Sequence, residues 1–430
     1  MKVISKPDRN EWVNLLKRPE MEKSSLESDV AAIMQAVRTE GDAALRRYTE
    51  KFDGVKMDSF LVTEAEFQKA ENMIELPLKI AIHQARTNIE RFHQAQREET
   101  RIIETTPGVR CWSRAVGIEK VGLYIPGGNA PLFSTILMLG IPATIAGCKE
   151  IVVCTPADEN GEVNHVILYV ASTLGIKKVF KVGGAQAIAA MAYGTESIPR
   201  VYKLFGPGNQ YVTSAKKMVN REGVAIDMPA GPSELAIWAD ETCNPSFVAA
   251  DLLSQAEHGS DSQVVLVSTN EKLIKKILAE INRQLEFIPR ADFAKSALEN
   301  SIAFCMASNE DCIDLLNEYA PEHLIIACED SDYWSTKVVN AGSVFLGNYS
   351  CESAGDYASG TNHTLPTNGF AKAYSGVSLD SFVKKITFQR ISADGILNLG
   401  FVIETMAEAE GLWAHKNAVT LRLNKIKNDN

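Results

Sequence analysis

The sequence predicts an α/β protein that contains two parallel-sheet units, and three observations support this fold class. The 430 residues are 45% hydrophobic and 23% charged, which is typical of a globular chain long enough for two or more cores. From Val116 onward, short β-branched runs alternate with helical segments, as they do in βαβ units. After the turn-rich segment PAGPSE at 229–234, the same alternation starts again.

The first hundred residues are predicted to be mainly helical, with residues 1–23 forming a helical extension. In residues 28–50 and 64–98, apolar positions recur at spacings of three and four, with charged residues between them. Because this helical lead-in has no sheet of its own, we expect it to pack on the second α/β unit. That arrangement makes the first unit an insertion in a discontinuous domain.

The first α/β unit is predicted at residues 120–233 as an inserted domain of the size that binds a nucleotide. Its strands are expected in the runs VGLYI, EIVVCT, KKVFKVGG and VYKLFG. The helical segments between these runs provide the crossovers that a parallel sheet requires.

The second unit is predicted to combine residues 24–119 with 234–377. Its strands are expected in the runs QVVLVS (263–268), IAFCMA (302–307), EHLIIAC (322–328) and GSVFLG (342–347). Residues 378–430 are predicted to form a helical arm outside both sheets. We expect this arm to dock on a second subunit.

Charge and cysteine usage argue against several classes of protein. The chain has 54 acidic and 44 basic residues, and its formal net charge of −10 is unfavourable for binding nucleic acid. Prolines and glycines interrupt the longest uncharged stretch, so no membrane span is expected. The eight cysteines include no CxxC pair, which favours reduced thiols. Without a signal peptide or targeting motif, the cytoplasm is the expected location.

The motif SQAEHG contains a candidate metal site. On a helix, the spacing of three between Gln255 and His258 places both side chains on one face. Gln is an unusual zinc ligand, however, and a helix end capped by Gly259 is an alternative interpretation. Asp356, in ESAGDYASGTNH, is a further candidate, although a loop aspartate often caps a helix or closes a turn.

Glu322 and His323 are candidate acid–base residues because they lie at the start of a predicted strand. Polar residues are also ordinary at strand starts. Adjacent side chains on a strand point to opposite faces, so the backbone must be irregular here if both serve one site. The sequence contexts of His363 and His415 make them candidates too, whereas His83, His93 and His165 are better explained by packing or solvation.

Three glycine turns follow predicted strands of the first unit: Gly127-Gly128, Gly183-Gly184 and GPGN at 206–209. In a parallel sheet these turns share the carboxyl edge, where backbone N–H groups and helix N-termini can bind a nucleotide. Taken singly, each of these three motifs is also explained by the ordinary occurrence of glycine in turns.

Several long motifs together resemble one enzyme family. They are VGLYIPGGNAPLFST, VGGAQAIAA, FGPGNQYVT, AIDMPAGPSE, DLLSQAEHG, PEHLII, GSVFLG, ESAGDYASGTNHTLPT and AHKNAVTLR. With the N-terminal GDAALRRYTEKFDG, they make the chain similar to the histidinol dehydrogenases over nearly its whole length.

This resemblance implies an NAD-dependent enzyme that oxidises L-histidinol to L-histidine through L-histidinaldehyde, with two NAD+ reduced in turn. It implies the last step of histidine biosynthesis and a homodimer that holds one zinc ion per subunit. The implied zinc ligands are Gln255, His258, Asp356 and, from the partner subunit, His415.

The resemblance also assigns roles to single residues. Glu322 would activate water to attack the aldehyde, and His323 would accept a proton as each hydride leaves. The substrate would contact the zinc ligands, His323, Ser233, His363 and Glu410. The implied NAD-binding residues are Tyr124, Gln186 and Asn209.

Three other interpretations stay open. Two Rossmann-like units also resemble the aldehyde-dehydrogenase-like architecture, in which a cysteine attacks the substrate, and Cys148 or Cys154 would be that nucleophile. A related zinc dehydrogenase could act on another small alcohol such as a sulfopropanediol, although Glu410 favours a substrate that carries an amine. A non-catalytic zinc- or ligand-binding module would leave Glu322 and His323 without a task.

Overall fold

The structure, a computed structural model, describes residues 1–19, 24–127 and 131–429. The chain divides into two compact units, which differ from the two predicted α/β units and are called the first and second unit from here on. The first unit is formed by Met1–Ala95 and Ile118–Phe382, and the second by Gln96–Gly117 and Val383–Asn430. All eight cysteines are free, as the sequence predicts. Among residues 1–19, 24–127 and 131–429, the helices are too short or too polar to be candidates for spanning a lipid bilayer.

The secondary structure is numbered in chain order. The strands are β1 (Lys2–Ser5), β2 (Ile103–Thr106), β3 (Val109–Gly117), β4 (Lys120–Tyr124), β5 (Glu150–Thr155), β6 (Lys178–Lys181), β7 (Lys203–Phe205), β8 (Ala225–Ile226), β9 (Glu234–Ala239), β10 (Gln263–Ser268), β11 (Ile302–Cys305), β12 (His323–Ala327), β13 (Ser343–Leu346) and β14 (Val383–Ile391). The α-helices are α1 (Trp12–Leu15), α2 (Ser24–Glu40), α3 (Asp42–Asp53), α4 (Glu64–Met73), α5 (Leu76–Gln94), α6 (Ser134–Ala146), α7 (His165–Thr173), α8 (Gly184–Tyr193), α9 (Gln210–Arg221), α10 (Pro245–Ala256), α11 (Glu271–Leu285), α12 (Ala291–Glu299), α13 (Asn309–Tyr319), α14 (Ser331–Ser335), α15 (Glu352–Tyr357), α16 (Ala393–Ala409) and α17 (Trp413–Asp429). Short 3-10 helices lie at Arg9–Glu11, Phe370–Lys372 and Leu379–Phe382.

The first unit contains a five-stranded parallel sheet with the order β6-β5-β4-β7-β8. Its strands β4 to β7 coincide with the four predicted runs, and helices α6 to α9 connect successive strands as crossovers. Buried aliphatic clusters lie on both faces of the sheet. The carboxyl ends of β4, β6 and β7 therefore share one edge.

The first unit also contains a six-stranded parallel sheet with the order β1-β11-β10-β9-β12-β13. The four predicted runs form β10 to β13, so the predicted fold class of two parallel sheets is confirmed. The central strand β9 was not predicted, because ELAIWA is apolar without alternation and follows the PAGPS turn directly. Pairing of β9 with β12 brings Leu235 opposite His323.

Two elements differ from the predicted terminal extensions. Residues 2–5 form an edge strand, β1, rather than part of a helical extension, because KVIS pairs in parallel with Ile302–Cys305. In the second unit, the predicted helical arm contains β14, which pairs antiparallel with β3 over nine residues in the three-stranded sheet β14-β3-β2. The run VKKITFQRI lacks clear alternation of burial, so its pairing was not evident locally.

The lead-in helices pack on the five-stranded sheet, contrary to our expectation that they would pack with the strands of the six-stranded sheet. Val30 and Val37 of α2 share a buried cluster with Ile188 of α8, and Ile82 of α5 shares another with Ile136 of α6. An amphipathic stripe shows that a helix packs but does not identify its partner. The proposed domain boundaries, 24–119 with 234–377 and 120–233 between them, stay a prediction.

Candidate active site

The adjacent residues Glu322 and His323 lie where β12 begins beside β9. The backbone N–H of Glu234 donates to Glu322 Oε2 at 3.0 Å, and His323 Nδ1 lies 3.3 Å from the Glu234 carbonyl oxygen. The chain bends at Glu322 after Ala320, which has a φ of 51°. This irregular backbone allows Glu322 Oε2 and His323 Nδ1 to approach within 3.9 Å, as the sequence argument requires for a shared site.

Burial and mutual charge shift the protonation of this pair. Burial raises the pKa of Glu322 to about 7, although the neighbouring His323 opposes the increase. Burial alone would lower the pKa of His323, but Glu322, Asp356 and Glu352 raise it to about 10. A divalent cation bound by the same carboxylates would oppose this last effect and favour the neutral imidazole.

A possible metal-binding group lies next to the pair. His258 follows α10, while Glu352 and Asp356 lie four residues apart on α15, and their ligand atoms are all within 4.8 Å of one another. Gln255 is fully buried on α10, and neither of its amide atoms has a hydrogen-bond partner within the described part of the chain. Buried amides are rarely left unpaired, so this pattern is what a missing ligand would produce.

Glu352 is a member of this group that the sequence reasoning missed. Its side chain is 1% exposed, its Oε2 accepts a hydrogen bond from the Ser254 hydroxyl at 3.1 Å, and its Oε1 lies 3.6 Å from His323 Nδ1. Burial raises the pKa of Glu352 to about 8. The signal was present in ESAGDY, where the spacing of four from Asp356 places both carboxylates on one helical face.

Glu234 is a second residue that the sequence reasoning missed, although it ends the PAGPSE motif. Its buried carboxylate forms a bidentate ion pair with Arg18, with nitrogen–oxygen distances of 2.7 and 2.6 Å. Its backbone holds both Glu322 and His323, as described above. The Arg18–Glu234 pair thus anchors the strand end on which the acid–base pair rests.

His363 and Ser233 lie in the same region of the first unit. His363 Nδ1 is 3.0 Å from the Asp356 backbone carbonyl oxygen, and its Nε2 is 3.2 Å from the Thr135 hydroxyl. Ser233 is half-buried and directly precedes β9. The structure thus links His363 to the proposed metal ligand Asp356.

Glu410 and His415 belong to the second unit. Glu410 follows α16, His415 lies in the first turn of α17, and both side chains are exposed. All three members of the possible metal-binding group come from the first unit. The exposed His258 opens this group to solvent, whereas Glu352 is buried.

The predicted cofactor residues gather at the carboxyl edge of the five-stranded sheet. Tyr124 ends β4, and its buried hydroxyl accepts a hydrogen bond from Gly184 N–H at 3.1 Å. Gln186 is buried in the first turn of α8, close to Gly184. Asn209 caps α9 by accepting hydrogen bonds from two backbone N–H groups. Gly128, part of the first predicted glycine turn, lies outside the described residues.

The candidate thiols are poorly suited to nucleophilic attack. Burial raises the pKa of Cys148 to about 11. Cys154 is fully buried on β5, and burial raises its pKa further. A thiolate is the reactive form, so neither cysteine is activated in this arrangement.

Comparison with known proteins gives consistent results. The family model described as histidinol dehydrogenase matches residues 16–423. A histidinol dehydrogenase of Bacteroides fragilis is 58% identical over 427 residues, which cover 99% of this chain and all of the relative. One from Aliivibrio fischeri is 50% identical and is covered over 94% of its length by 96% of this chain. The crystal structure of histidinol dehydrogenase from Elizabethkingia anophelis superposes with a TM-score of 0.97 at 54% identity, covering 99% of both chains.

Proposed function

Because this chain belongs to the histidinol dehydrogenase family, we propose that it oxidises L-histidinol to L-histidine through L-histidinaldehyde. Two NAD+ molecules accept the two hydrides in turn. Because the product is L-histidine itself, the reaction is the last step of histidine biosynthesis. The observation that carries this proposal is the placement of Glu322 and His323 directly against the possible metal-binding group. That placement puts acid–base chemistry beside a site able to hold a polar substrate.

Zinc is the proposed metal, held by Gln255, His258, Asp356 and His415 of the partner subunit. The unpartnered amide of Gln255 and the close ligand atoms of His258 and Asp356 support this set among the described residues. Nitrogen and oxygen donors of this kind suit zinc. When bound, zinc supplies a template that holds the imidazole and amine of the substrate, rather than a polariser of the reacting oxygen.

The acid–base pair divides the proton transfers in this proposal. His323 accepts the proton of the alcohol, and later that of the aldehyde hydrate, as each hydride leaves. Its buried Nε2 makes no hydrogen bond within the described chain and lies 3.6 Å from Asp356 Oδ1, so this nitrogen keeps an unused hydrogen-bonding capacity that a substrate hydroxyl would satisfy. Glu322, with its pKa near 7, accepts a proton from the water that attacks the aldehyde.

The remaining residues bind and orient. Ser233, His363 and Glu410 contact the substrate in this proposal, and the Glu410 carboxylate suits an ammonium group. Tyr124, Gln186 and Asn209 contact NAD at the carboxyl edge of the five-stranded sheet. We further propose that the enzyme works in the cytoplasm as a homodimer whose second unit supplies His415 to the partner subunit.

Two alternative functions lose support. The buried, high-pKa thiols of Cys148 and Cys154 disfavour a cysteine-bound intermediate. Action on a sulfopropanediol is not favoured, because the relatives at 50–58% identity are named histidinol dehydrogenases.

One experiment tests the proposed function. Purified protein is supplied with zinc, NAD+ and a limiting amount of L-histidinol, and the NADH formed per histidinol consumed is counted from absorbance. Two NADH per histidinol, with histidine as the product, is the expected result. A single NADH would mean that the aldehyde escapes, and binding of histidinol without NADH would leave only a binding module.

A further inference from the structure

A buried ion pair lies behind the GPGN turn of the five-stranded sheet, and no step of the proposed reaction uses it. Lys216 lies on α9 and Asp227 follows β8, and their side chains are only 6% and 1% exposed. Lys216 Nζ lies 2.5 Å from Asp227 Oδ1. Asp227 belongs to the motif AIDMPAGPSE, whose other members lead to the active-site strand β9.

Both members of the pair bind the same glycine. Asp227 Oδ2 accepts the backbone N–H of Gly206 at 2.8 Å, and Lys216 Nζ donates to the Gly206 carbonyl oxygen at 2.8 Å. The backbone of Gly206 is thus fixed on both sides, immediately after β7 ends. Three residues later Asn209 caps α9, the helix that also carries Lys216.

The conformation of the turn requires glycine at position 206, so a less flexible residue cannot be used there to make the turn rigid. Its φ is +127°, and a Cβ atom there would lie 2.1 Å from the carbonyl oxygen of Tyr124. Glycine is the most flexible residue, so a turn built on it needs external contacts to hold one conformation. The Lys216–Asp227 pair supplies those contacts.

Stability is a weak explanation for a buried ion pair. Removing two charges from water is costly, and apolar side chains of similar size often serve a fold as well or better. A specific result of these charges is the orientation of the Gly206 backbone. Gly206 lies against the backbone of Tyr124 and three residues before Asn209, the two proposed NAD-binding residues nearest to it.

We propose that Lys216 and Asp227 are positioning residues for NAD, which hold the 206–209 turn in the conformation that binds the cofactor. This inference rests on the proposed function, in which Asn209 contacts NAD. The pair touches neither the acid–base residues nor the proposed metal ligands in any hydrogen bond or ion pair described for it. Its effect should therefore fall on NAD and not on histidinol.

The test uses Lys216→Met in the zinc-loaded enzyme, with Lys149→Met as the matched control. Lys149 forms a comparable ion pair with Glu119 at 2.7 Å in the same unit, but it is exposed. NAD binding is measured by calorimetry, steady-state kinetics give the KM for each substrate, and hydrogen exchange is followed in the peptide that contains Gly206.

For Lys216→Met we expect the Kd and KM for NAD to rise roughly five- to tenfold, as for the loss of one or two oriented hydrogen bonds. The KM for histidinol should stay unchanged, and exchange at Gly206 should accelerate. Lys149→Met should change none of these. A folded Lys216→Met enzyme with normal NAD affinity would overturn the proposal, since a merely structural pair alters the folded fraction without altering Kd.

A second variant covers failure of the first to fold. Lys216→Met combined with Asp227→Asn leaves no unpaired buried charge, and it should reproduce the weaker NAD binding. If this variant also fails to fold, the pair is required by the fold and the proposal is overturned. If the unaltered enzyme binds no NAD, the proposed function itself fails, while exchange at Gly206 still reports whether the pair holds the turn.

Discussion

At the residue scale, Glu322 and His323 are neighbours in the chain with different surroundings. Glu322 accepts a backbone hydrogen bond from Glu234, whereas His323 lies between the carboxylates of Glu352 and Asp356. This difference supports separate tasks for the two side chains. In the proposed function, the carboxylate activates water and the imidazole removes a proton at each hydride transfer.

Replacing these residues should separate the two oxidations. We expect Glu322→Gln to slow conversion of the aldehyde more than oxidation of the alcohol, and His323→Asn to slow both. The expected losses are about 10²- to 10⁴-fold for a positioned acid or base. Single-turnover measurements with histidinol and with histidinaldehyde check this, with zinc content verified in each variant. Equal and small effects from both replacements would contradict the assignment.

Glu352 should contribute to metal affinity, because its buried carboxylate belongs with His258 and Asp356 to the possible metal-binding group. Glu352→Gln removes that charge at nearly constant volume. We expect zinc affinity, measured by competition with a chromophoric chelator, to fall about 10- to 100-fold. Glu299→Gln, at an exposed position of the same unit, is the control. Unchanged zinc affinity, together with an unchanged visible spectrum of the cobalt-substituted protein, would exclude Glu352 from the metal site.

At the element scale, α3 ends on an acidic residue, whose negative charge is unfavourable at the negative end of the helix dipole. Asp53 is the last residue of α3, its Oδ2 is buried without a hydrogen-bond partner in the described chain, and burial raises its pKa to about 6. A carboxylate at a helix C-terminus is unfavourable. The carboxyl group of Asp53 therefore binds its proton more tightly in the folded chain than in the unfolded chain.

This arrangement predicts a pH-dependent effect of Asp53→Asn. Because the folded pKa of Asp53 lies above its ordinary value of 3.8, its stabilising proton is lost as pH rises toward 6. Above that range the wild-type helix carries an unfavourable charge, so the variant should be more stable at pH 8 by about 1–2 kcal/mol. Near pH 4 the difference should shrink. Denaturant unfolding at both pH values tests this, with exposed Asp58→Asn as the control, and an equal effect at both values would contradict it.

At the scale of the whole molecule, the metal-binding group draws on α10, a helix whose apolar side chains pack in a buried cluster of the first unit. Gln255 lies in the last turn of α10, His258 follows that helix by two residues, and Asp356 comes from α15, all in the first unit. The proposed zinc therefore binds between finished elements and does not nucleate a core.

Metal removal should therefore abolish turnover while leaving the fold largely intact. A chelator is expected to remove activity and added zinc to restore it, with the circular dichroism spectrum nearly unchanged throughout. Metal-free protein that oxidises histidinol at its original rate would show that the template role is wrong.

The proposed sharing of His415 between subunits makes a prediction about mixed dimers. His258→Ala and His415→Ala chains should each be inactive alone. In a hybrid dimer, one site combines an intact His258 with an intact His415, so random exchange should restore roughly a quarter of normal activity. Native mass spectrometry verifies the exchange. No recovery in verified hybrids would reject the shared site.

How much of this protein follows from its sequence depends on the range of the interaction. The alternation of β-branched runs with helices determined the two parallel sheets, and the long motifs determined the family and most candidate residues. Both signals are local, because periodicity and turn chemistry act over a few residues.

Only the tertiary structure decided which elements and side chains meet. β1 and β14 are strands because they exchange hydrogen bonds with strands distant in the sequence. The lead-in helices share buried apolar clusters with the five-stranded sheet and its helices. Glu352 joins His258 and Lys216 joins Asp227 across long stretches of chain. Such contacts depend on the packing of whole elements, which no local pattern of residues specifies.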